Sequence, residues 1–217
     1  MKTTITTMLL LALCLVITGC GQVCQTPIEN NLSGWSFYSE NSDARQRDTW
    51  EIIDGVLICS GTPRGYLYTN ESYRDFTLTL QWRWPDEKSA GKGGVLFDMT
   101  GVDNIWPTSL EAQINSGSAG DFWALDGYGL TGVADRTELH SHPEYGELVN
   151  VKKIEAAENA AGQWNSYKIV AEGADVTLTI NGQVVNKATR TNTTGGKICI
   201  TSEGSGIEFR DIKIDPK

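Results

Sequence analysis

The sequence predicts an all-β fold in which two antiparallel sheets pack face to face as a jelly-roll sandwich. Many short runs alternate between apolar and polar side chains, which is the period-two pattern of half-buried strands. About thirteen such runs occur, with no convincing helix and no repeat of roughly 20–50 residues. The pairs Asp54-Gly55 and Asn181-Gly182 are typical of the tight turns that join hairpin strands.

The chain begins with a segment that resembles a bacterial lipoprotein signal. Lys2 supplies a short positive region, and Met8 to Ile17 is an apolar stretch too short to span a bilayer. The stretch ends in Ile17-Thr18-Gly19-Cys20, which resembles the lipobox, where the peptide is cut before a cysteine whose thiol is acylated. An ordinary secretory signal cut nearby is the alternative.

These features divide the chain into three parts. We expect a lipoprotein signal peptide over residues 1–19, a lipidated N-terminus and linker over 20–32, and a single β-sandwich domain over 33–217. Two or more acyl chains anchor a protein stably where one does not. The mature protein is therefore predicted to cross the inner membrane and to stay membrane-anchored as a lipoprotein, in the periplasm or at the outer membrane.

The charge of the chain excludes some partners. The formal net charge is −9, and removal of residues 1–19 takes away Lys2 alone, which makes it −10. An acidic domain without a basic patch argues against nucleic acid and against an anionic membrane surface as partner. No later apolar run approaches the ~20 residues of a transmembrane helix.

The cysteines leave two alternatives open. Without Cys14, which leaves with the signal, and Cys20, the domain keeps Cys24, Cys59 and Cys199. One disulfide and one free thiol would suit an exported protein. Buried thiols are equally plausible, because Cys59 and Cys199 each lie within a strand-like run.

The strands follow in order along the first third of the domain. Phe76–Trp84 is the longest, with five apolar side chains on one face and Thr77, Thr79, Gln81 and Arg83 on the other. The runs before it are Trp35–Tyr38, Trp50–Ile53, Val56–Ser60 and Gly65–Thr69.

Two short runs in the middle of the chain offer polar side chains to one face. In Val95–Met99, Asp98 falls opposite Val95, Phe97 and Met99, and in Leu110–Ile114, Glu111 and Gln113 fall opposite the apolar residues. If the runs are neighbours, a carboxylate from each projects from the same face. Trp106 and Trp123 lie in the flanking loops. Carboxylates, an amide and indole rings on one face are typical of a sugar-binding cleft.

Residues 124–163 are the least regular part of the sequence. Glu155–Ala161 has the composition of one helical turn. His140 and His142 would share a metal ion if they occupied alternate positions on a strand, but no neighbouring residue completes a ligand set. Solvated histidines in a loop are the preferred interpretation.

The last third is again rich in β-type runs. They are Trp164–Glu172, Asp175–Ile180, Gln183–Lys187, Gly196–Ser202 and Ile207–Ile214.

Short motifs spread over residues 33–214 resemble the 3-keto-disaccharide hydrolase domain family. The motifs are Ser33-Gly34-Trp35, Trp50, Asp54-Gly55-Val56-Leu57, Gly65-Tyr66-Leu67, Asp75-Phe76, Trp82-Arg83, Gly94-Val95-Leu96-Phe97, Trp106-Pro107, Ser109-Leu110-Glu111-Ala112-Gln113, Gly120-Asp121-Phe122-Trp123, Trp164-Asn165, Asn181-Gly182 and Ile207-Glu208-Phe209-Arg210. The resemblance implies a concanavalin-like sandwich and action on glycosides whose sugar carries a ketone at C3. Lipoprotein forms are frequent in this family.

The implied chemistry needs a base, an acid and a group that stabilises an enolate oxygen. Glu111 and Asp98 are the candidate base and acid, and Arg83 is the candidate cation toward the enolate. No cofactor is required, although a divalent metal held by Asp98, Glu111 and a histidine is a lower-ranked substitute for Arg83. Candidate substrate-binding residues are Gln113, Gln81, Trp106, Trp123 and Asp121, the last of which would equally cap a loop.

A second class of function remains open. A non-catalytic module that binds glycans at the cell surface needs aromatic rings and amides but gains nothing from a carboxylate poised to titrate. In both cases the partner is a small carbohydrate, and the sequence does not predict an oligomeric state.

Overall fold

The computed structural model describes residue 28 and residues 31–217. The predicted signal peptide, Cys20, Cys24 and most of the predicted linker lie outside the described residues. Within the described part, no helix is long and apolar enough to cross a membrane.

The described residues form sixteen strands. The strands are β1 Trp35–Ser39, β2 Trp50–Ile53, β3 Val56–Cys59, β4 Gly65–Thr69, β5 Phe76–Arg83, β6 Gly94–Met99, β7 Ser109–Gln113, β8 Phe122–Leu125, β9 Leu130–Thr131, β10 Thr137–His142, β11 Gly146–Val151, β12 Asn165–Glu172, β13 Asp175–Ile180, β14 Gln183–Arg190, β15 Lys197–Ser202 and β16 Ile207–Pro216. Helix in this part of the chain is limited to α1 (Gln46–Thr49) and a 3₁₀ turn at Ala134–Arg136.

The strands make two antiparallel sheets of eight strands each, as the sequence predicts. The first sheet has the order β1-β4-β15-β6-β7-β8-β11-β10, and the second has the order β2-β3-β16-β5-β12-β13-β14-β9. Several neighbours in each sheet, such as β15 beside β6 and β16 beside β5, come from distant parts of the sequence, so the chain crosses repeatedly between the sheets, as in a jelly roll.

The hydrophobic core lies between the sheets because the alternating strands turn their apolar faces toward each other. Phe76 and Trp82 of β5 are fully buried against Phe97 of β6 and Leu110 of β7. The ring centroids of Phe76 and Phe97 are 5.9 Å apart in an edge-to-face contact that joins the two sheets.

Two predicted hairpin turns have the backbone that their residues favour. Asp54 and Gly55 have φ values of 51° and 76°, and Asn181 and Gly182 have 50° and 81°. Positive φ at both central positions defines a type I′ turn, which matches the twist of the strands that it joins. The turns connect β2 to β3 and β13 to β14.

The structure corrects two expectations in the least regular part of the sequence. Glu155–Ala161 forms no helix. Thr137–His142 and Gly146–Val151 pair as a hairpin at the edge of the first sheet, so both histidines lie on a strand and the loop interpretation was wrong. The edge strand Thr137–His142 consists mostly of polar residues because only one of its faces packs on the protein. Its sequence therefore shows no clear apolar–polar alternation.

The two described cysteines are buried free thiols. Burial raises the pKa of the Cys59 thiol to about 11 and also raises that of Cys199. Both therefore stay protonated and unreactive near neutral pH.

Candidate functional site

A cleft of about 290 Å³ lies on the outer face of the first sheet, over β7 and β8. Glu111 and Gln113 of β7 stand on its floor. The loop before β7, the β10–β11 hairpin and the segment after β15 form its walls. The lining residues are Lys92, Trp106, Glu111, Gln113, Asn115, Trp123, Leu125, His142, Tyr145, Leu148 and Glu203.

The alternation of β7 places Glu111 at the centre of this floor. Leu110 and Ala112 enter the core, so Glu111 points to the opposite face, as predicted from the sequence. The strand registers put Leu96 on one side of Glu111 and Trp123 on the other. The carboxylate is only 4% exposed.

A glycine in the neighbouring strand makes room for this carboxylate. Gly94 of β6 pairs with Gln113 and is the diagonal neighbour of Glu111, and a Cβ at this position would be 2.5 Å from Glu111 Oε1. A side chain of any size would therefore displace the carboxylate. Glu203 follows the end of β15, on the other side of β6 from Glu111, and lines the same cleft.

Glu203 is a candidate functional residue that the sequence analysis missed. Its Oε1 atom and that of Glu111 are both buried, and neither has a hydrogen-bond partner among the described residues. Cys199, Thr201 and Glu203 follow one another at alternate positions, so Glu203 would be expected on the same face as the first two. This pattern points to the cleft only when β15 is known to lie beside β6.

The two carboxylates affect each other's protonation. Burial, the charge of Glu203 and the charge of Asp121 together raise the pKa of Glu111 well above its usual range. Burial also raises the pKa of Glu203, and this rise is partly opposed by a hydrogen bond with the Thr201 side chain and by the nearby charges of Lys92 and Arg64. Two carboxylates in one dry site resist double ionisation, so the pair favours a state with a single proton.

Aromatic rings enclose the cleft above the carboxylates. Trp106 contacts Tyr145 edge to face at 6.0 Å, and Tyr145 stacks on His142 at 4.5 Å. Trp123 lies next to Glu111 in the sheet and packs on His140 at 5.1 Å. Rings of this kind stack on the apolar faces of sugars.

Gln113 and Asp121 are fixed by contacts within the protein. Gln113 lines the cleft, and its Oε1 accepts a hydrogen bond of 2.9 Å from Ser118 Oγ. Asp121 Oδ1 accepts one of 2.9 Å from the backbone N–H of Lys153. Asp121 therefore holds a loop and acts on the cleft through its charge near Glu111.

Asp98 does not lie in the cleft, contrary to the prediction from the sequence. Phe97 and Asp98 together face one residue of β15, which makes a β-bulge with Asp98 at φ 53°. The extra residue turns Asp98 toward the interior and Met99 outward. Asp98 is fully buried, accepts two hydrogen bonds of 2.8 Å from Arg190 Nη1, and accepts one of 2.6 Å from the Tyr128 hydroxyl.

Arg83 and Gln81 lie on the outer face of the second sheet, with the core between them and Glu111. Arg83 Nε donates to Glu208 Oε2 at 2.5 Å. Gln81 Oε1 accepts two hydrogen bonds from Arg210, and both guanidinium groups lie against the ring of Trp164. Both residues therefore lie on the far side of the core from the cleft. The predictions that Arg83 stabilises the enolate and that Gln81 contacts the substrate are wrong.

The metal ligand set considered from the sequence does not assemble. Asp98 points into the core whereas Glu111 faces the cleft, so one ion cannot contact both. Among the described residues, no three His, Cys, Asp or Glu side chains are grouped closely enough to hold a metal ion.

The two sheets form a concanavalin-like sandwich, and the family match identifies a carbohydrate-active domain. Residues 27–215 match the 3-keto-alpha-glucoside-1,2-lyase-like domain. The chain belongs to this family, which agrees with the resemblance seen in its motifs. No protein in a curated set of sequences matches the chain.

Solved structures share the fold at low sequence identity. A protein from Parabacteroides distasonis assigned as a glycosyl hydrolase has a TM-score of 0.63 and 16% identity, and the alignment covers 90% of this chain and 95% of that one. The β-glucanase of Bacillus licheniformis has a TM-score of 0.57 and 12% identity, with coverages of 88% and 96%. The carbohydrate-binding module CBM66 from Bacillus subtilis has a TM-score of 0.56 and 12% identity, with coverages of 84% and 95%. The same fold thus occurs in an enzyme and in a binding module.

Proposed function

We propose that this domain cleaves glycosides whose sugar carries a ketone at C3, by proton abstraction at C2, elimination of the aglycone and addition of water. The observation that carries the proposal is the pair of buried, unpartnered carboxylate oxygens of Glu111 and Glu203 at the floor of an aromatic cleft. The 3-keto-alpha-glucoside-1,2-lyase-like family supports the same chemistry, since a 1,2-lyase acts across C1 and C2.

Because the sugar carries a ketone at C3, two carboxylates are sufficient for the reaction. It acidifies the C2 proton because the resulting carbanion is delocalised onto the ketone oxygen as an enolate. When the enolate collapses, C1 and C2 become doubly bonded and the C1–oxygen bond to the aglycone breaks. Addition of water across this double bond then gives the free 3-keto sugar, so the net reaction is hydrolysis.

The carboxylate pair supplies both proton transfers. Glu111, as the carboxylate, removes the C2 proton, and Glu203, as the acid, protonates the leaving oxygen. In the second half, Glu203 accepts a proton from the attacking water, and Glu111 protonates C2 after its own proton has exchanged with solvent. Each residue regains its starting protonation state, so the pair needs only the one proton that it holds at the start of the cycle. The raised pKa of Glu111 brings this base closer to working pH.

The aromatic residues orient the sugar. Trp123 is adjacent to Glu111 across the strand pair, and Trp106 lies in the loop above. Stacking on an indole presents the edge of the pyranose ring, where C1 and C2 lie, to the carboxylates.

A glycan-binding module without catalysis is the second candidate. The aromatic walls and the shared fold with CBM66 favour it. The carboxylates argue against it, because burying a carboxylate oxygen without a hydrogen-bond partner destabilises a protein, and Glu111 and Glu203 each have such an oxygen among the described residues.

The test is incubation of the purified domain with 3-keto-glucosides and with their unoxidised parents. We expect release of aglycone from the keto forms alone. Release from the parents would indicate an ordinary glycosidase. Binding of sugars without any release would favour the glycan-binding module.

We also infer that Cys20 carries a lipid that holds the domain at a membrane, on the basis of the Ile17-Thr18-Gly19-Cys20 motif. Cys20→Ser is expected to move the protein from the detergent-extracted membrane fraction to the soluble or unprocessed fraction. A wild-type chain that is already soluble and cleaved elsewhere would contradict this inference.

A further inference from the structure

The β10–β11 hairpin holds the imidazole of His142 in a defined orientation at the wall of the cleft. The backbone N–H groups of Glu144 and Tyr145 both donate to His142 Nδ1, at 3.1 and 3.2 Å. The ring also stacks on Tyr145, with an angle of 22° between the planes. Two hydrogen bonds and one stacked face therefore fix both the position and the rotation of this ring.

This arrangement selects one tautomer. A nitrogen that accepts hydrogen bonds carries no proton, so the proton of the neutral ring lies on Nε2. Nε2 has no hydrogen-bond partner among the described residues, and the ring lines the cleft. The turn thus leaves a single N–H donor of His142 available to a bound molecule.

We propose that Nε2–H of His142 donates a hydrogen bond to the C3 oxygen of the substrate and stabilises the enolate when Glu111 removes the C2 proton. This inference rests on the proposed function, and it assigns to His142 the task that the sequence analysis gave to Arg83. No proton is transferred to the oxygen: the C2–H electron pair moves into the C2–C3 bond, the carbonyl electrons move onto the oxygen, and Nε2–H stabilises the charge there. When the enolate collapses, the ketone is restored and the hydrogen bond weakens again.

Other donors at the cleft are less suited to this role. Lys92 lies close enough to Glu203 for its charge to lower the pKa of that carboxyl, which places the ammonium beside the proposed acid. The Asn115 amide oxygen accepts a hydrogen bond from the backbone N–H of Gly93 at 2.9 Å, which fixes the orientation of this amide to its own loop. His140 is not among the residues that line the cleft: its ring packs on Trp123, and its Nε2 lies 3.6 Å from Glu138 Oε2.

Two substitutions test the roles of the two nitrogens of His142 separately. In His142→Asn, the amide oxygen replaces Nδ1 as acceptor for the turn while the Nε2–H donor is lost. In His142→Gln, the amide nitrogen reaches toward the Nε2 position and restores a donor. The steady-state kinetics of both variants are measured on a 3-keto-glucoside, alongside thermal unfolding.

We expect His142→Asn to lower kcat by about 10²–10³-fold, the usual cost of losing one donor to an oxyanion, with a small change in KM. His142→Gln should recover a substantial part of the lost kcat. A purely structural role predicts the opposite order, since the Asn variant preserves the turn and the Gln variant does not.

A spectroscopic measurement tests the tautomer without substrate. The chain has two histidines, so a ¹⁵N–¹H spectrum of the wild type and of His140→Asn identifies the ring signals of His142. We expect a protonated Nε2 and an unprotonated Nδ1 at pH values where the ring is neutral. The other tautomer would overturn the inference.

The outcomes distinguish this inference from the proposed function. A wild-type protein that turns over no 3-keto-glycoside overturns both. An active wild type with an equally active His142→Asn variant overturns the role of His142 and leaves the carboxylate mechanism intact.

Discussion

The substitution Gly94→Ala tests whether the position of the Glu111 carboxylate controls activity. Gly94 lies on the strand next to that of Glu111, and the Glu111 side chain occupies the space that a side chain at Gly94 would fill. An added Cβ would be 2.5 Å from Glu111 Oε1, 2.9 Å from Cγ and 3.0 Å from Cδ. Its backbone has no positive φ, so alanine fits the local conformation.

The geometry sets the size of the effect. Ordinary contact begins at 3.4 Å, so Oε1 must move by about 0.9 Å from its position. A misplacement of about 1 Å in a reacting group typically lowers the rate about 10²-fold. Because the Glu111 side chain rotates more easily than the strand moves, we expect most of the effect on kcat and a loss of stability of about 1–3 kcal/mol.

Gly93→Ala is the matched control. A Cβ at Gly93 would lie 3.5 Å from Ile207 Cδ1 and 3.7 Å from Trp84, which are ordinary contacts. Both variants are assayed for release of aglycone from a 3-keto-glucoside, with thermal unfolding followed by circular dichroism. If folded Gly94→Ala is as active as Gly93→Ala, the placement of Glu111 does not determine the rate and the reasoning fails.

Three further substitutions test the site and its surroundings. Burial raises the pKa of Glu203, and Glu203 must hold a proton to act as the acid, so Glu203→Gln should lower kcat and remove the basic limb of the kcat/KM profile; a basic limb that persists unchanged would contradict this role. Asp98→Asn removes the nearer counter-charge of the buried Arg190 guanidinium and leaves only Asp75, at 3.4 Å, so it should lower the free energy of unfolding by about 3 kcal/mol in urea denaturation; unchanged stability would mean that the Asp98–Arg190 pair does not support the fold. Arg83 lies on the outer face of the second sheet, so Arg83→Met should keep kcat near the wild-type value. A tenfold loss of kcat would mean that Arg83 takes part in the mechanism.

Most of the fold was predictable because it follows from local pattern. The alternation of Phe76–Arg83 and Ser109–Gln113 reports directly which side chains enter the core, and the pairs Asp54-Gly55 and Asn181-Gly182 specify their turns. The hairpin Thr137–Val151 was not predictable in the same way. It lies at a sheet edge, where few apolar side chains are buried and the period-two signal is weak.

The site was less predictable because it depends on which strands become neighbours. Glu111 was found because its own strand alternates clearly. Asp98 was misplaced because a bulge reverses the alternation at that residue, and no local residue signals the bulge. Glu203 was missed because β15 comes next to β6 only after long-range pairing, and Arg83 was misassigned because its polar face belongs to the other sheet.

The most direct test of the proposed mechanism is the position of deuterium in the product after reaction in D₂O. Elimination and hydration break the C2–H bond and rebuild it with a solvent-exchanged proton. We therefore predict that the 3-keto sugar released by the wild type carries deuterium at C2 above the level of spontaneous exchange in buffer, as read by mass spectrometry and NMR. Direct hydrolysis at C1 leaves the original C2–H bond intact. Release of the aglycone with the C2 proton fully retained would contradict proton abstraction by Glu111 and with it the proposed function.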